Sequence, residues 1–150
     1  MTLTVGAIAA SLLTFGALTS RSEEASNKGR DSFAEAARAK SLLRELRGNH
    51  GYSYSGTVMG LPIAAAGPIS FDGEGNLSAK YSVSLNGESF QGSFIGTYTV
   101  NPDLTGTVTL NLPLLGLSSR GSFVIVSSGR ETYFTGTDRG VIVTGTTKRQ

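Results

Sequence analysis

The stretch GTYTVNPDLTGTVTL, residues 96–110, carries the clearest structural signal in the chain. Apolar residues and glycines recur at every second position on both sides of an Asn-Pro-Asp step, and threonine fills most places between. Pro102 has the fixed φ that a type I turn needs at its second position, and Asn101 and Asp103 can bond the nearby backbone. The stretch predicts two half-buried antiparallel strands joined by a tight turn. Their shared apolar face would hold Phe94, Gly96, Tyr98, Val100, Leu104, Gly106, Val108 and Leu110.

The same alternation extends over residues 51–150, where we count eight strands with short connections and no crossover helix. LSAKYSVSL, residues 77–85, alternates strictly, and Asn86-Gly87 after it is a strong hairpin signal. Pro68 interrupts one strand and predicts a sheet edge or a bulge there. Because closure removes unpaired edges, the pattern predicts a mainly β protein with an eight-stranded antiparallel up-and-down β-barrel; a two-layer sandwich is the alternative.

Composition limits the classes of function. The chain has 150 residues, a net charge of +2 and no cysteine, which excludes disulfides, thiolate metal sites and cysteine nucleophiles. Residues 21–47 hold seven basic and five acidic side chains, whereas residues 50–150 hold six of each sign. A neutral barrel without a basic stripe is a poor match for phosphate backbones, so we expect no nucleic-acid partner.

Residues 1–20 form a segment of their own, in which Thr2–Ser20 carries no charge. Three interpretations stay open: a cleaved export signal, an uncleaved membrane anchor, or a buried helix. Arg21, Lys28 and Arg30 follow the apolar run, which by the positive-inside tendency favours a cytoplasmic barrel. Since apolar N-termini of this kind are mostly targeting segments, we expect an exported or extracytoplasmic membrane-anchored protein, with residues 2–20 meeting the membrane.

Residues 21–50 read as a charged linker followed by an amphipathic helix. Ser32 with Glu35 forms a capping box, or Asp31 caps instead, and Gly48 suits the stop. The apolar stripe consists of Ala36, Ala39, Leu43 and Leu46, with Leu42 beside it, and the basic edge consists of Lys40, Arg44 and Arg47. The helix either docks its leucines on the barrel or presents its basic edge to anionic headgroups or the barrel mouth.

Four short motifs together give a resemblance: GYSYSG at 51–56, FDGEGN at 71–76, GTYTVNPD at 96–103 and TDRGV at 137–141. As a set, they make residues 51–148 similar to a family of small, largely uncharacterised exported bacterial proteins. The resemblance implies a small barrel of the general kind seen in calycins and in allene oxide cyclase or dirigent proteins. It brings no catalytic residues. Leu104 stands where members of that family commonly have cysteine.

An eight-stranded barrel is either filled by side chains or holds one small ligand. Tyrosines can line such an interior with rings and a few hydroxyls, which suits an apolar ligand oriented by polar contacts. Glu131 shares a strand face with Tyr133, so both lie inside, where burial would raise the carboxyl pKa, or both lie outside. The candidate ligand-binding residues are Tyr52, Tyr54, Tyr81, Tyr98, Glu131 and Tyr133.

Other candidate sites are weak, and we expect neither a metal nor a cofactor. Asp72, Glu74 and Asn76 alternate oxygen ligands but lack the rest of a calcium loop, so a turn is the better interpretation. His50 is the only histidine, and we interpret it as a surface residue at a segment junction. Glu88 and Asp138 lie near strand ends.

Two functions follow from these features. In the first, the barrel binds an apolar small molecule in its interior or mouth, as a carrier or as a cyclase or isomerase that shapes its substrate. In the second, the protein is a non-catalytic, membrane-anchored accessory or scaffold subunit of a larger assembly. The loop 110–119 (LNLPLLGLSS) is unusually apolar, so it would contact a ligand, membrane or partner protein when exposed, or plug the barrel when folded back. Whether any catalysis occurs stays open.

Overall fold

The structure, a computed structural model, describes residues 16–112 and 117–150. Side chains are described for residues 29–112 and 118–150. One helix precedes eight strands, and a short 3-10 turn, Ser127–Gly129, joins the sixth strand to the seventh. The elements are α1 (Gly16–Glu45), β1 (Gly48–Val58), β2 (Leu61–Phe71), β3 (Asn76–Leu85), β4 (Glu88–Val100), β5 (Thr105–Leu112), β6 (Leu117–Val126), β7 (Glu131–Gly136) and β8 (Val141–Arg149).

The sheet is a closed barrel in the order β1 to β8. Each strand pairs antiparallel with the next, and β8 returns to pair with β1 from His50↔Arg149 to Val58↔Val141. The predicted eight-stranded up-and-down barrel is confirmed, and the sandwich alternative is wrong. Closure leaves every strand paired on both sides, which satisfies the backbone donors and acceptors that an open sheet would expose.

The chain divides into two compact units, Met1–Glu35 and Ala36–Gln150. In the first unit, the described residues 16–35 are helical. The second unit contains the last ten residues of α1 together with the whole barrel. Among the described residues, no helix is long and apolar enough to cross a bilayer. Residues 1–15 lie outside the described part, so the expectations for the apolar segment 1–20 stay predictions.

The Asn-Pro-Asp turn forms as the sequence predicts. Leu104 N donates to Asn101 O at 3.1 Å, and Asp103 Oδ1 accepts from Thr105 N at 3.0 Å. Leu104 has a positive φ of 69° and belongs to the turn, with β5 beginning at Thr105. The expectation that Leu104 lies on the apolar strand face is therefore wrong, because the left-handed residue that follows this type of turn re-aims the chain before the strand starts.

The inside-outside alternation is confirmed along the strands. On β4, Phe94, Tyr98 and Val100 are buried, while Thr97 and Thr99 between them are exposed. Serine and threonine likewise cover most of the outer wall. Two shallow depressions of about 680 and 720 Å³ lie on that wall, and much of their surface is formed by small residues such as Ser53, Ala64 and Thr144.

Pro68 produces neither an edge nor a shift of register, which corrects the expectation. Its strand β2 pairs with β1 without interruption, and with β3 the ladder stops at Ala66↔Ser82 and resumes at Ile69↔Ala79 in the same register. Lys80 therefore stands opposite Pro68, which has no N–H to donate. Because Pro68 cannot donate, the Lys80 carbonyl needs a hydrogen-bond donor from another group.

The helix differs from the expectation at its start. The chain is already helical at Gly16 and stays helical through Asp31 and Ser32, so the expected start at a capping residue there is wrong. Ser32 Oγ donates to Gly29 O at 3.3 Å, a bond within the helix. Residues 21–31 are mostly helix-forming types, which allows the helix to continue through them. The helix ends at Glu45, before Gly48, which has a positive φ of 128° and opens β1.

Candidate functional site

The two ends of the barrel have different chemistry. At one end, here called the helix end, α1 arrives and the chain turns at residues 72–75, 101–104 and 127–130. The other end, here called the far end, carries the turns at 59–60, 86–87 and 137–140. There β5 ends and β6 begins, and residues 113–116 between these strands lie outside the described residues. Met59 and Ile142 near the far end are 77% and 73% exposed. The expected contact loop 110–119 is therefore only partly described.

The last turns of α1 cover the helix end. Leu46 is fully buried and Leu42 nearly so, and both belong to the barrel core. Lys40, Arg44 and Arg47 are exposed. The interpretation in which the leucines dock on the barrel is confirmed, because burying them removes apolar surface from water that an isolated helix would expose.

The interior is filled with aromatic rings that lie against wall glycines. Tyr52, Tyr81, Phe123 and Phe134 each stand directly across from a glycine on the neighbouring strand; the pairs are Tyr52↔Gly67, Tyr81↔Gly92, Gly106↔Phe123 and Phe134↔Gly145. A Cβ added at any of these glycines would come within 3.3 Å of the facing ring. The rings therefore occupy the space that side chains on those glycines would need.

This packing leaves a cavity of about 70 Å³ in the barrel. Its lining is almost wholly apolar and includes Leu46, just after α1, as well as Tyr52, Phe94, Phe123 and Phe134 from the wall. Ligand pockets usually measure roughly 300–1,000 Å³, and a cavity that holds benzene measures about 150 Å³. In this conformation the cavity is therefore smaller than a site for a single aromatic ring.

The structure brings four of the six candidate residues into the interior. Tyr52, Tyr54 and Tyr98 line the cavity, and Tyr81 packs beside it with its ring stacked on Phe94 at 6.2 Å. Burial raises the pKa values of Tyr52, Tyr54 and Tyr98, so these phenols stay protonated near neutral pH. Neutral phenols can donate and accept hydrogen bonds but cannot act there as charged bases.

Glu131 and Tyr133 do not belong to this interior set. Tyr133 is 50% exposed on the outer wall, and Glu131 forms an ion pair with Lys148 at 3.4 Å. Of the two predicted alternatives, both residues inside the barrel or both outside, the second is correct. The inward face of β7 is taken by the alternate residues. Phe134 packs against Gly145, and buried Thr132 bonds Thr147 at 2.9 Å between the hydroxyls.

Two of the interior hydroxyls complete backbone hydrogen bonding. Tyr52 lies across Gly67, and its hydroxyl donates to Lys80 O at 3.1 Å, the carbonyl that stands opposite Pro68. Tyr98 donates to Leu43 O of α1 at 3.3 Å. Both bonds satisfy carbonyls that the strand ladder or the helix leaves without a backbone donor, so they have a structural role.

His50 lies at the helix end and is fully buried, so its interpretation as a surface residue is wrong. Its Nε2 lies 3.0 Å from Leu46 O, and its ring meets Phe71 edge-on at 5.2 Å between centroids. Burial lowers the pKa of His50, the hydrogen bond to Leu46 opposes that shift, and the positive charge of Arg149 adds to it. Sequence reasoning missed this position because burial depends on how α1 covers the barrel. The sequence carried one signal of this burial, because His50 lies two residues before Tyr52 and so shares its inward strand face.

The Asp72 loop is a turn, as expected. Asp72 Oδ1 accepts from Glu74 N at 2.7 Å and from Asn76 N at 2.9 Å, and Oδ2 accepts from Asn76 Nδ2 at 2.6 Å. The bond from the Asn76 side chain is the main cause that lowers the pKa of Asp72. Across residues 16–112 and 117–150, no group of three or more His, Cys, Asp or Glu side chains has the arrangement of a metal site.

Asp138 also closes a connection. It accepts from Arg120 N at 2.7 Å and pairs with Arg120 Nε at 3.2 Å, which ties the turn before β8 to β6. The backbone hydrogen bond from Arg120 is the main cause that lowers the pKa of Asp138. Glu88 begins β4 at the far end and is exposed. These carboxylates lie apart from the interior cavity.

No protein-family model matches the sequence, and no curated protein matches it. Among solved structures, the chain is similar to a redesigned β-barrel with a TM-score of 0.50 and 26% sequence identity. The match covers 75% of this chain and 96% of that one. This similarity supports the barrel fold.

Proposed function

We propose that this protein is a non-catalytic accessory module, a filled β-barrel that acts through its outer surface as a scaffold within a larger assembly. The observation that carries the proposal is the packing of the interior. Rings from β1, β3, β6 and β7 fill the space against wall glycines, and the cavity that remains measures about 70 Å³. A barrel packed in this way, with one end covered by α1, has its outer wall and its far end available for contact.

The proposed location of the module is a membrane surface. The uncharged segment Thr2–Ser20 would hold the module at a membrane, with the barrel on the extracytoplasmic side. α1 begins within that segment, at Gly16, and its C-terminal end is packed into the barrel by Leu42 and by Leu46 just after it. The apolar loop 110–119 is the proposed contact for a protein partner.

A second candidate function is binding of an apolar small molecule inside the barrel. The cavity lining favours it, because apolar rings surround a space that the Tyr52 and Tyr54 side chains also border. It would place the protein beside the carriers of the calycin kind, or the cyclases of the allene oxide cyclase and dirigent kind. A bound molecule of ordinary size would require the rings to move, since the present space is smaller than one benzene ring requires.

Native mass spectrometry of the full chain, isolated gently from its own source, separates the two functions. The scaffold proposal expects the chain to be recovered bound to another polypeptide, with no small-molecule adduct. A monomer that carries a stoichiometric apolar adduct would overturn it and support the second candidate. A monomer without adduct would also contradict the scaffold proposal.

Surface variants locate the contact once an assembly is recovered. Met59→Ser with Ile142→Ser removes two large exposed apolar side chains at the far end, where loop 110–119 begins and ends. Phe33→Ser is the matched control, because Phe33 is equally exposed at 77% but lies on α1. Weaker assembly in the first variant alone assigns the contact to the far end. The opposite result would move it to the helix.

A further inference from the structure

The carbonyls at the end of α1 and just after it are held by side chains from three separate strands. Tyr98 of β4 donates to Leu43 O, Arg149 of β8 donates to Glu45 O at 2.5 Å and to Arg47 O at 2.8 Å, and His50 of β1 bonds Leu46 O. A helix end leaves several carbonyls without intrahelical donors, so these contacts complete it. We call these three side chains and four carbonyls the helix-end junction.

His50 is the one member of the junction that can change charge near neutral pH. A carbonyl oxygen can only accept, so the ring nitrogen that faces Leu46 O is Nε2–H, and Nδ1 carries the lone pair. Nδ1 is buried, and no hydrogen-bond partner for it is found among the described residues. A proton added there would place an N–H and a full charge in a dry site without an acceptor.

The groups around His50 do not compensate that charge. From β8, Arg149 stands opposite His50 in register and is itself positive. From β2, the facing residues Ile69 and Phe71 are uncharged. From the turn after α1, the contact is the Leu46 carbonyl, whereas the flanking Glu45 and Arg47 side chains are exposed. The carbonyl favours a protonated ring, but burial and Arg149 oppose it.

We propose that the helix-end junction is an acid-sensitive contact, in which protonation of His50 at Nδ1 releases residues 36–46 from the barrel. Release lets the imidazolium reach water and separates it from Arg149. It also uncovers Phe71 and Tyr98, whose rings meet edge-on at 5.2 Å beneath the helix end.

The direction of the pH effect on the helix-end junction follows from proton linkage. The pKa of His50 in the folded protein lies below its ordinary value of 6.5, so the released state binds the proton more tightly. The junction is therefore at full strength above that ordinary value and loses strength as the pH falls from it toward the folded pKa. The effect ends below the folded pKa, where both states are protonated.

NMR of the full chain tests the proposal directly, because His50 is the only histidine and its ring signals need no assignment. The pH is lowered from about 7.5 to about 4.5, which leaves most carboxylates ionised. Amide-exchange protection of residues 42–47, corrected for intrinsic exchange, is expected to fall tenfold or more as the pH drops from 6.5 to the pH at which the His50 ring titrates in the folded protein. Protection that stays unchanged from pH 6.5 to the end of the ring titration would overturn the proposal, and so would a loss that is complete above pH 6.5.

His50→Gln is the matched variant, because its side-chain amide can still donate to Leu46 O but does not titrate. We expect this variant to keep its protection over the whole pH range. An equal loss in wild type and variant would assign the effect to another group and contradict the role of His50. If the variant does not fold, the wild-type titration alone still decides the question.

Discussion

At the scale of single residues, the barrel depends on pairs in which a glycine faces an aromatic ring. Gly106 lies directly across from Phe123, and a side chain there would overlap both the Phe123 ring and the Thr99 carbonyl. The carbonyl belongs to the backbone of the neighbouring strand, so it cannot turn away as a side chain can. Such positions tolerate no Cβ because the ring and the sheet already occupy the space.

We predict that Gly106→Ala lowers the free energy of unfolding by about 1–3 kcal/mol through overpacking. Gly29→Ala is the control, because Gly29 lies within α1 with nothing within 4 Å of an added Cβ. There the same change should be neutral or stabilise by up to about 1 kcal/mol. Urea unfolding followed by circular dichroism measures both. Equal effects would show that space at the wall does not limit position 106.

Tyr52 adds a hydrogen bond to its packing against Gly67. Tyr52→Phe keeps the ring but removes the donor to Lys80 O, so we predict a loss of about 1–2 kcal/mol of unfolding free energy. Tyr133→Phe on the outer wall should change stability by less than about 0.5 kcal/mol, since its side chain is half exposed. The two variants are compared by thermal unfolding. A loss at Tyr133 as large as at Tyr52 would contradict the assigned bond.

At the scale of elements, α1 and the barrel depend on each other. The helix is polar on average. Leu42, Leu46 and the helix-end junction attach it to the barrel. The barrel in turn gains a cover over the rings of Phe71 and Tyr98. Helical stability in proteins comes mainly from packing of an apolar face, and here that face is short and lies at the last turns.

We predict that Leu46→Ala lowers the free energy of unfolding by about 2–5 kcal/mol, because it removes a fully buried side chain from the core. Phe33→Ala, which changes a side chain that is 77% exposed, should shift stability by less than about 0.5 kcal/mol. Urea unfolding monitored at both tyrosine fluorescence and helical ellipticity compares them. A small effect at Leu46 would mean that the stability of the barrel does not depend on the contact that covers its helix end.

Most elements could be predicted from sequence, because alternation and turn residues act locally. The eight strands, the Asn-Pro-Asp turn and the outer threonine rows follow from neighbouring residues along one strand. The start of α1 could not, since Asp31 and Ser32 cap a helix only when the chain before them is not helical. Which face of β7 turns inward also required the partner strand, because Glu131-Thr132-Tyr133-Phe134 offers a polar and an aromatic residue to both sides.

At the scale of the whole molecule, the interior volume decides between a filled barrel and a container. We predict that Phe134→Ala enlarges the cavity of about 70 Å³ enough to bind benzene, which then raises the melting temperature of the variant. Wild type should show no shift at the same benzene concentration. Thermal unfolding with and without benzene measures this. A benzene-dependent shift in wild type would show that the interior already opens to ligands and would favour the second candidate function.

The sequence by itself determined the strand count, the turn chemistry and the separation of apolar inside from hydroxyl-bearing outside, because each depends on residues adjacent in the chain. Only the tertiary structure decided that His50 is buried, that α1 covers one end of the barrel, and that the rings leave so little space inside. Burial and cavity volume are sums over side chains from many strands. They exist only once the ring of strands has closed and fixed which side chains meet.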